Sequence, residues 1–128
     1  MVIPSDFESA RRVESFLLGA IAEHHYSEGS RFAVRLAVEE AVTNAIKHGN
    51  RLDPRKTISI GMDVDSRQVE ITVADQGSGF DPASVPDPTT QENLEKPSGR
   101  GIMLMRAYMD QVQYNPVGTQ VRMLKRKA

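Results

Sequence analysis

Apolar residues recur at helical spacing through the first third of the chain, and alternate with polar ones in several short runs beyond residue 56. Val13, Phe16, Leu17, Ala20 and Ile21 fall three and four apart, which predicts a helix from a Ser5 or Asp6 cap to about His24. Tyr26-Ser-Glu-Gly29-Ser30 breaks that period, and Ser30 is placed to cap a second helix over about 31–48, stopped by Gly49-Asn50. From Thr57 to Val64 the period falls to two, with Ile58, Ile60, Met62 and Val64 on one face. Val69, Ile71 and Val73 repeat it after the turn-like Asp65-Ser66-Arg67, so the pair reads as antiparallel strands. Residues 81–98 hold Pro82, Pro86, Pro88 and Pro97 with little periodicity; a loop this long is usually a lid, a binding loop or disordered. Helix resumes after Gly99-Arg100-Gly101, with Ile102, Leu104, Met105 and Met109 apolar. Residues 111–114 and 119–124 then close as a hairpin around Asn115-Pro116-Val117-Gly118. This order of elements predicts an α+β two-layer sandwich with helices on one face of a sheet.

Composition narrows the function without changing that picture. The 128 residues fit one domain, 1–128. A formal charge of -1 lacks the electrostatic footprint of a nucleic-acid binder, and Lys125-Arg126-Lys127 is a short solvated terminus. With no cysteine there is neither a disulfide framework nor a thiolate metal site. The first ten residues carry acids where an export signal needs a basic flank and an apolar run. No segment approaches the ~20 apolar residues of a membrane helix, so the expectation is a cytoplasmic protein with no membrane partner.

Four motifs interrupt the apolar pattern. Glu40, Asn44 and His48 lie four apart on the second helix, each about 40° round from the last, beside a sector of Val34, Ala37, Val38, Ala41, Val42, Ala45 and Ile46. A carboxylate and a carboxamide bordering that sector need partners or a cavity; equally, they are a helix end with polar residues at its rim. In Asp75-Gln-Gly77-Ser-Gly79, Asp75 shares the parity of Val69, Ile71 and Val73 and points to the core side. Gly77 and Gly79 allow positive φ and close backbone approach to a ligand, although a plain Asp-Gly turn reads the same way. Ser98-Gly99-Arg100-Gly101 can offer backbone N–H groups to a phosphate at a helix start, or serve as a hinge. Gly118-Thr119 opens the last strand.

The order of these motifs resembles the GHKL (Bergerat-fold) ATPase superfamily. Within it the chain is most similar to the anti-sigma-factor serine-protein kinases, through Ala37-Val-Glu-Glu-Ala-Val-Thr-Asn-Ala-Ile-Lys-His-Gly49, Ser98-Gly-Arg-Gly-Ile102 and Met105-Arg-Ala-Tyr-Met-Asp110. The resemblance implies a mixed, mostly antiparallel sheet with three helices on one face and an ATP lid at about 81–100. It implies that Glu40 is the general base and that Asn44 binds the Mg²⁺ bridging the phosphates of ATP. Asp75 would accept a hydrogen bond from the adenine amine, with Gly77 and Gly79 near the base and Thr119 supporting the contact. Gly99, Arg100 and Gly101 would wrap the phosphates, with Lys47 and His48 near them; Lys47 and His48 read equally as a capped helix end.

There are departures from the family pattern. Sporulation-type relatives carry an arginine just before the lid Ser-Gly, where this chain has Pro97; Lys96 or Arg100 is left to reach the γ-phosphate. Only Val2-Ile3 precede Pro4, so the family's first strand is short or absent, and with it part of the surface that forms a homodimer. Arg12 falls near the family's partner-contact arginine, and reads also as a solvent-facing helix residue. The implied function is a serine/threonine kinase that phosphorylates an anti-anti-sigma (STAS-type) protein and sequesters a sigma factor or similar target. The competing reading is an ATP-dependent partner-binding module without efficient transfer.

Overall fold

Local signals start and stop the elements much as the spacing predicts. In the computed structural model, which describes residues 1–78 and 99–127 (backbone only at 99 and 100), Asp6 caps the first helix by accepting from the Ser9 N–H at 2.7 Å. That bond holds its carboxyl below the usual carboxylate range. Helix α1 (Phe7–Glu23) ends at His24, and His25 turns the chain with a left-handed φ of 60°. Helix α2 (Glu28–Asn44) starts earlier than the expected Arg31: Ser27, not Ser30, is the cap, accepting from the Ser30 N–H at 3.1 Å. Glu28 then sits in the first turn, where the helix dipole favours an acid.

The described residues form a five-stranded sheet of order β1-β2-β3-β5-β4, with every neighbouring pair antiparallel. The expected mixed, mostly antiparallel sheet is wholly antiparallel among the described residues. Strands β2 (Thr57–Val64) and β3 (Gln68–Ala74) are the expected pair, in register Ile60↔Val73 and Met62↔Ile71. Strand β1 (Val2–Pro4) is present but only three residues long, pairing Ile3 with Ile58 on the β2 edge. Strands β4 (Gln111–Tyr114) and β5 (Gln120–Arg126) close the other side, turning at Gly118 with φ 74°.

One sheet face carries Ile58, Ile60, Val69, Ile71, Val73, Val121 and Met123, all buried. Helix α2 lies across it between α1 and α3 (Gly99–Tyr108), and contributes Val34, Ala37, Val38, Ala41 and Val42 to the shared core. Helix α1 adds Val13, Leu17 and Ile21; Phe16, expected with them, is 62 % exposed, since its neighbour Leu17 takes the core-facing position. Ile71, fully buried on a central strand, sits at the middle of this interface. Ile71→Ala is expected to cost about 2–5 kcal/mol of unfolding free energy in denaturant titration, by transfer loss plus the cavity left behind.

Candidate functional site

Helix α2 does not end as a regular helix. Ala45–Gly49 form a π turn, closed by the Asn50 N–H donating to the Ala45 carbonyl at 2.8 Å. Such turns are energetically poor and collect at functional sites. The helical run ends at Gly49 with Asn50 as its cap, as the sequence predicts, and the left-handed turn that follows is made by Arg51 and Leu52, with φ of 53° and 59°. The widened turn carries the Gly49 backbone onto the end of β3: a Cβ on Gly49 would collide with the Asp75 carboxylate, and one on Gly77 with the Gly49 carbonyl. Neither glycine has a positive φ. They are needed for space: the Asp75 carboxylate lies against Gly49, and the Gly49 backbone against Gly77.

Asp75 is fixed from several sides. Its N–H donates to the Thr119 carbonyl at 2.9 Å, and its Oδ1 accepts from the Gly77 N–H at 2.8 Å. Partial burial raises its pKa above the usual range, with the Gly77 bond and nearby Lys56 opposing the rise. Thr119 is held by Asn115, whose Nδ2 donates to Thr119 Oγ1 at 2.9 Å and whose Oδ1 accepts the Thr119 N–H at 2.9 Å. The geometry thus brings Asp75, Gly77 and Thr119 together, although Asp75 and Thr119 are far apart in sequence.

A second group gathers where α3 begins. The helix starts at Gly99, inside the glycine motif rather than after it, so Gly99-Arg100-Gly101 form its first turn, the end of a helix that favours anions. A Cβ on Gly101 would lie 2.5 Å from Glu40 Oε2 and 3.7 Å from Asn44 Nδ2. The helix start, the acid and the carboxamide therefore converge. Asn44 is 8 % exposed, and its Nδ2 makes no hydrogen bond of good geometry among the described residues. Burial lifts the Tyr114 phenol to about 12, with the Arg106 charge and the Asn44 carboxamide pulling it back; Tyr114 therefore sits against the same group.

Gly101→Ala keeps the helical backbone but pushes a methyl group at Glu40. The expected outcome is a folded protein, by circular dichroism, with any Glu40-dependent turnover reduced about tenfold or more, since small misplacements at a reacting centre are costly.

Other expected site residues are placed less informatively. Lys47 is exposed and His48 partly exposed, both in the π turn. Arg12 pairs with Glu8 at 2.8 Å on the exposed side of α1. Gly79, Lys96, the 81–98 loop and the Arg100 side chain lie outside the described residues. The spacing did not single out Gly49, Asn50, Gln76, Asn115 or Tyr114. Asn50 and Asn115 were visible in it only as turn formers.

The antiparallel sheet under three helices, with a carboxylate–carboxamide pair facing a glycine-started helix, defines a two-layer domain of the Bergerat type. The chain belongs to the histidine kinase-like ATPase domain family, whose model matches residues 3–125. That makes it a domain of the nucleotide-binding ATPase class. It is 38 % identical over 98 residues to the anti-sigma F factor of Anoxybacillus flavithermus, covering 72 % of this chain and 66 % of that protein. Against the anti-sigma F factor of Geobacillus stearothermophilus it is 40 % identical over 82 residues, or 62 % of this chain and 56 % of the relative. These matches thus span less than two thirds of those relatives' length. Similarity to the serine-protein kinase RsbW of Oceanobacillus iheyensis is 30 % over 132 residues, covering 98 % of this chain and 84 % of that kinase. The fold is shared with the RsbU and RsbW domains of a Mycobacterium tuberculosis protein, at TM-score 0.59 and 16 % identity, over 98 % of this chain and 31 % of that one. No helix among the described residues is long and apolar enough to cross a membrane.

Proposed function

We propose that the 128 residues form one domain that binds Mg-ATP and transfers the γ-phosphate to a serine or threonine of a small anti-anti-sigma (STAS-type) protein, while sequestering a sigma factor or related regulator. The carrying observation is the approach of Gly101 to Glu40 and Asn44 at the start of α3. Phosphoryl transfer asks the protein chiefly for positioning and electrostatic stabilisation. First-turn N–H groups of α3 would hold phosphate oxygens. Glu40 would take the proton of the attacking hydroxyl as its oxygen bonds phosphorus and ADP leaves. Asp75, with Thr119 behind it, would accept from the adenine amine, and residues 81–100 would close as the lid, with Lys96 or Arg100 at the γ-phosphate. Anti-sigma F factors and RsbW among the relatives support the partner class.

The residues present fit a divalent cation. A half-turn of the Asn44 carboxamide would bring its oxygen to the side facing the start of α3, where Nδ2 now lies 3.7 Å from the Cβ position of Gly101, and Mg²⁺ commonly takes one or two protein oxygens with phosphate and water. When bound it supplies charge neutralisation across the phosphates. Among the described residues no cluster of three or more His, Cys, Asp or Glu side chains offers a protein-only cage.

Incubation with γ-labelled ATP and purified STAS-type antagonists tests the reading. Label on an antagonist serine or threonine supports it. Tight ATP binding with no label on any antagonist would instead favour a module that uses ATP only to set its shape.

A further inference from the structure

The described chain buries few polar side chains: Ser5, Ser30, Asn44 and Asn50. Asn50 is the most deeply buried of them, at 0 % exposure, and no step of the proposed chemistry uses it. Its Nδ2 donates to Ser5 Oγ at 3.1 Å and to the Thr57 carbonyl at 3.0 Å, while its Oδ1 accepts from the Gln76 N–H at 2.8 Å. Four segments therefore meet on one carboxamide: the β1–α1 junction, the π turn, the start of β2, and the residue following Asp75.

We infer that Asn50 is a positioning residue that fixes the Asp75–Gly77 loop before nucleotide arrives, and so sets the selectivity of the site for an aminopurine base. This rests on the proposed reading of Asp75 as the adenine acceptor. A buried carboxamide is costly unless hydrogen-bonded, so a space-filling role alone would be met better by an apolar residue. The acceptor atom is instead spent on the amide adjacent to Asp75. That loop leaves the sheet at the Asp75–Thr119 bond, and Gln76 itself is exposed. Beyond this bond its described ties are the Asn50 contact, the Asp75–Gly77 bond and the Gln76 Oε1 acceptor for the Thr57 N–H at 2.8 Å. A π turn precedes Asn50, and the left-handed Arg51 and Leu52 follow it. Strained backbone of this kind persists where its surroundings over-determine it.

Calorimetry with ATP and with purine riboside triphosphate, which lacks the exocyclic amine, tests the inference on the whole chain. Wild type is expected to prefer ATP by about tenfold or more, the worth of a hydrogen bond to a charged group. Asn50→Ala is expected to lose most of that preference through weaker ATP binding, with affinity for the analogue within about twofold of wild type. A merely structural role would lower the melting temperature and leave the ratio of the two affinities unchanged, which overturns the inference. If wild type itself shows no preference, the adenine reading of Asp75 fails and this inference fails with it; a wild-type preference that survives in Asn50→Ala sinks the inference alone. Should Asn50→Ala not fold, hydrogen exchange on nucleotide-free wild type decides. The Gln76 amide is expected to be protected like those of the β2–β3 ladder, and free exchange at an otherwise exposed residue would overturn the inference.

Discussion

Glu40→Ala is expected to abolish transfer to the antagonist while leaving nucleotide binding almost intact. A correctly placed carboxylate base contributes typically 10²–10⁴-fold, so single-turnover transfer should fall by about that factor. ATP affinity by calorimetry should stay within about threefold, because Asp75, Thr119 and the α3 start remain. The fold has little reason to suffer: Glu40 is only partly buried and no described hydrogen bond or ion pair depends on it. Glu39 is the internal control. It pairs with Arg35 at 3.3 Å on an exposed face of α2, and exposed pairs of this kind are worth little. Glu39→Ala should therefore leave transfer within about twofold. Equal losses from both substitutions, or transfer surviving in Glu40→Ala, would remove Glu40 from the chemistry.

Much of the scaffold was legible in the sequence. Alternation from Thr57 to Val64 marks strand β2 at its observed ends, and Ser5-Asp6 before an amphipathic run marks a cap, which Asp6 supplies. Such features are local: a period or a side chain bonding three residues away decides them. The Glu40–Asn44 spacing is local too, because one turn of α2 separates them. What converges on that pair was not legible. Gly101 meets Glu40 only because α3 packs beside α2, and no spacing within either helix encodes that approach.

The π turn is the sharper case. The run Asn44-Ala-Ile-Lys-His-Gly49 has an ordinary helical composition, and its widening is stabilised by distant groups. Asn50 finds Ser5, Thr57 and Gln76, none within its own helix. A sequence reading sees Gly49-Asn50 as a stop and has no means of seeing that Gly49 must lack a Cβ because Asp75 lies against it. Phe16 shows the opposite failure. Helical spacing placed it with the core, yet the stripe Val13, Leu17, Ile21 is filled without it.

Asp75→Asn is expected to weaken ATP binding about 10- to 100-fold while leaving the protein as stable as wild type or more so. Asp75 Oδ1 already accepts the Gly77 N–H, which leaves Oδ2 for a donor on the ligand. An asparagine has one acceptor for those two donors. If its oxygen keeps Gly77, its amide group faces the adenine amine; if it turns, it faces the Gly77 N–H. Either orientation leaves a donor–donor mismatch in a confined site, a loss of about 1–3 kcal/mol. Stability runs the other way. Burial raises the folded-state pKa of Asp75 above its ordinary value, so the ionised form is disfavoured by folding at neutral pH, and that penalty relaxes as pH falls through the raised pKa. A neutral asparagine lacks the penalty at every pH. Denaturant titration at pH 7 should therefore show no loss of unfolding free energy, and the difference between the two proteins should shrink on acidification as Asp75 protonates. Unchanged ATP affinity in Asp75→Asn would take the adenine contact away from this residue. A large stability loss would mean that the charge is held by partners stronger than Gly77 and Lys56. The combination of lost affinity with kept stability is what a residue retained for a ligand, at the expense of the fold, should give.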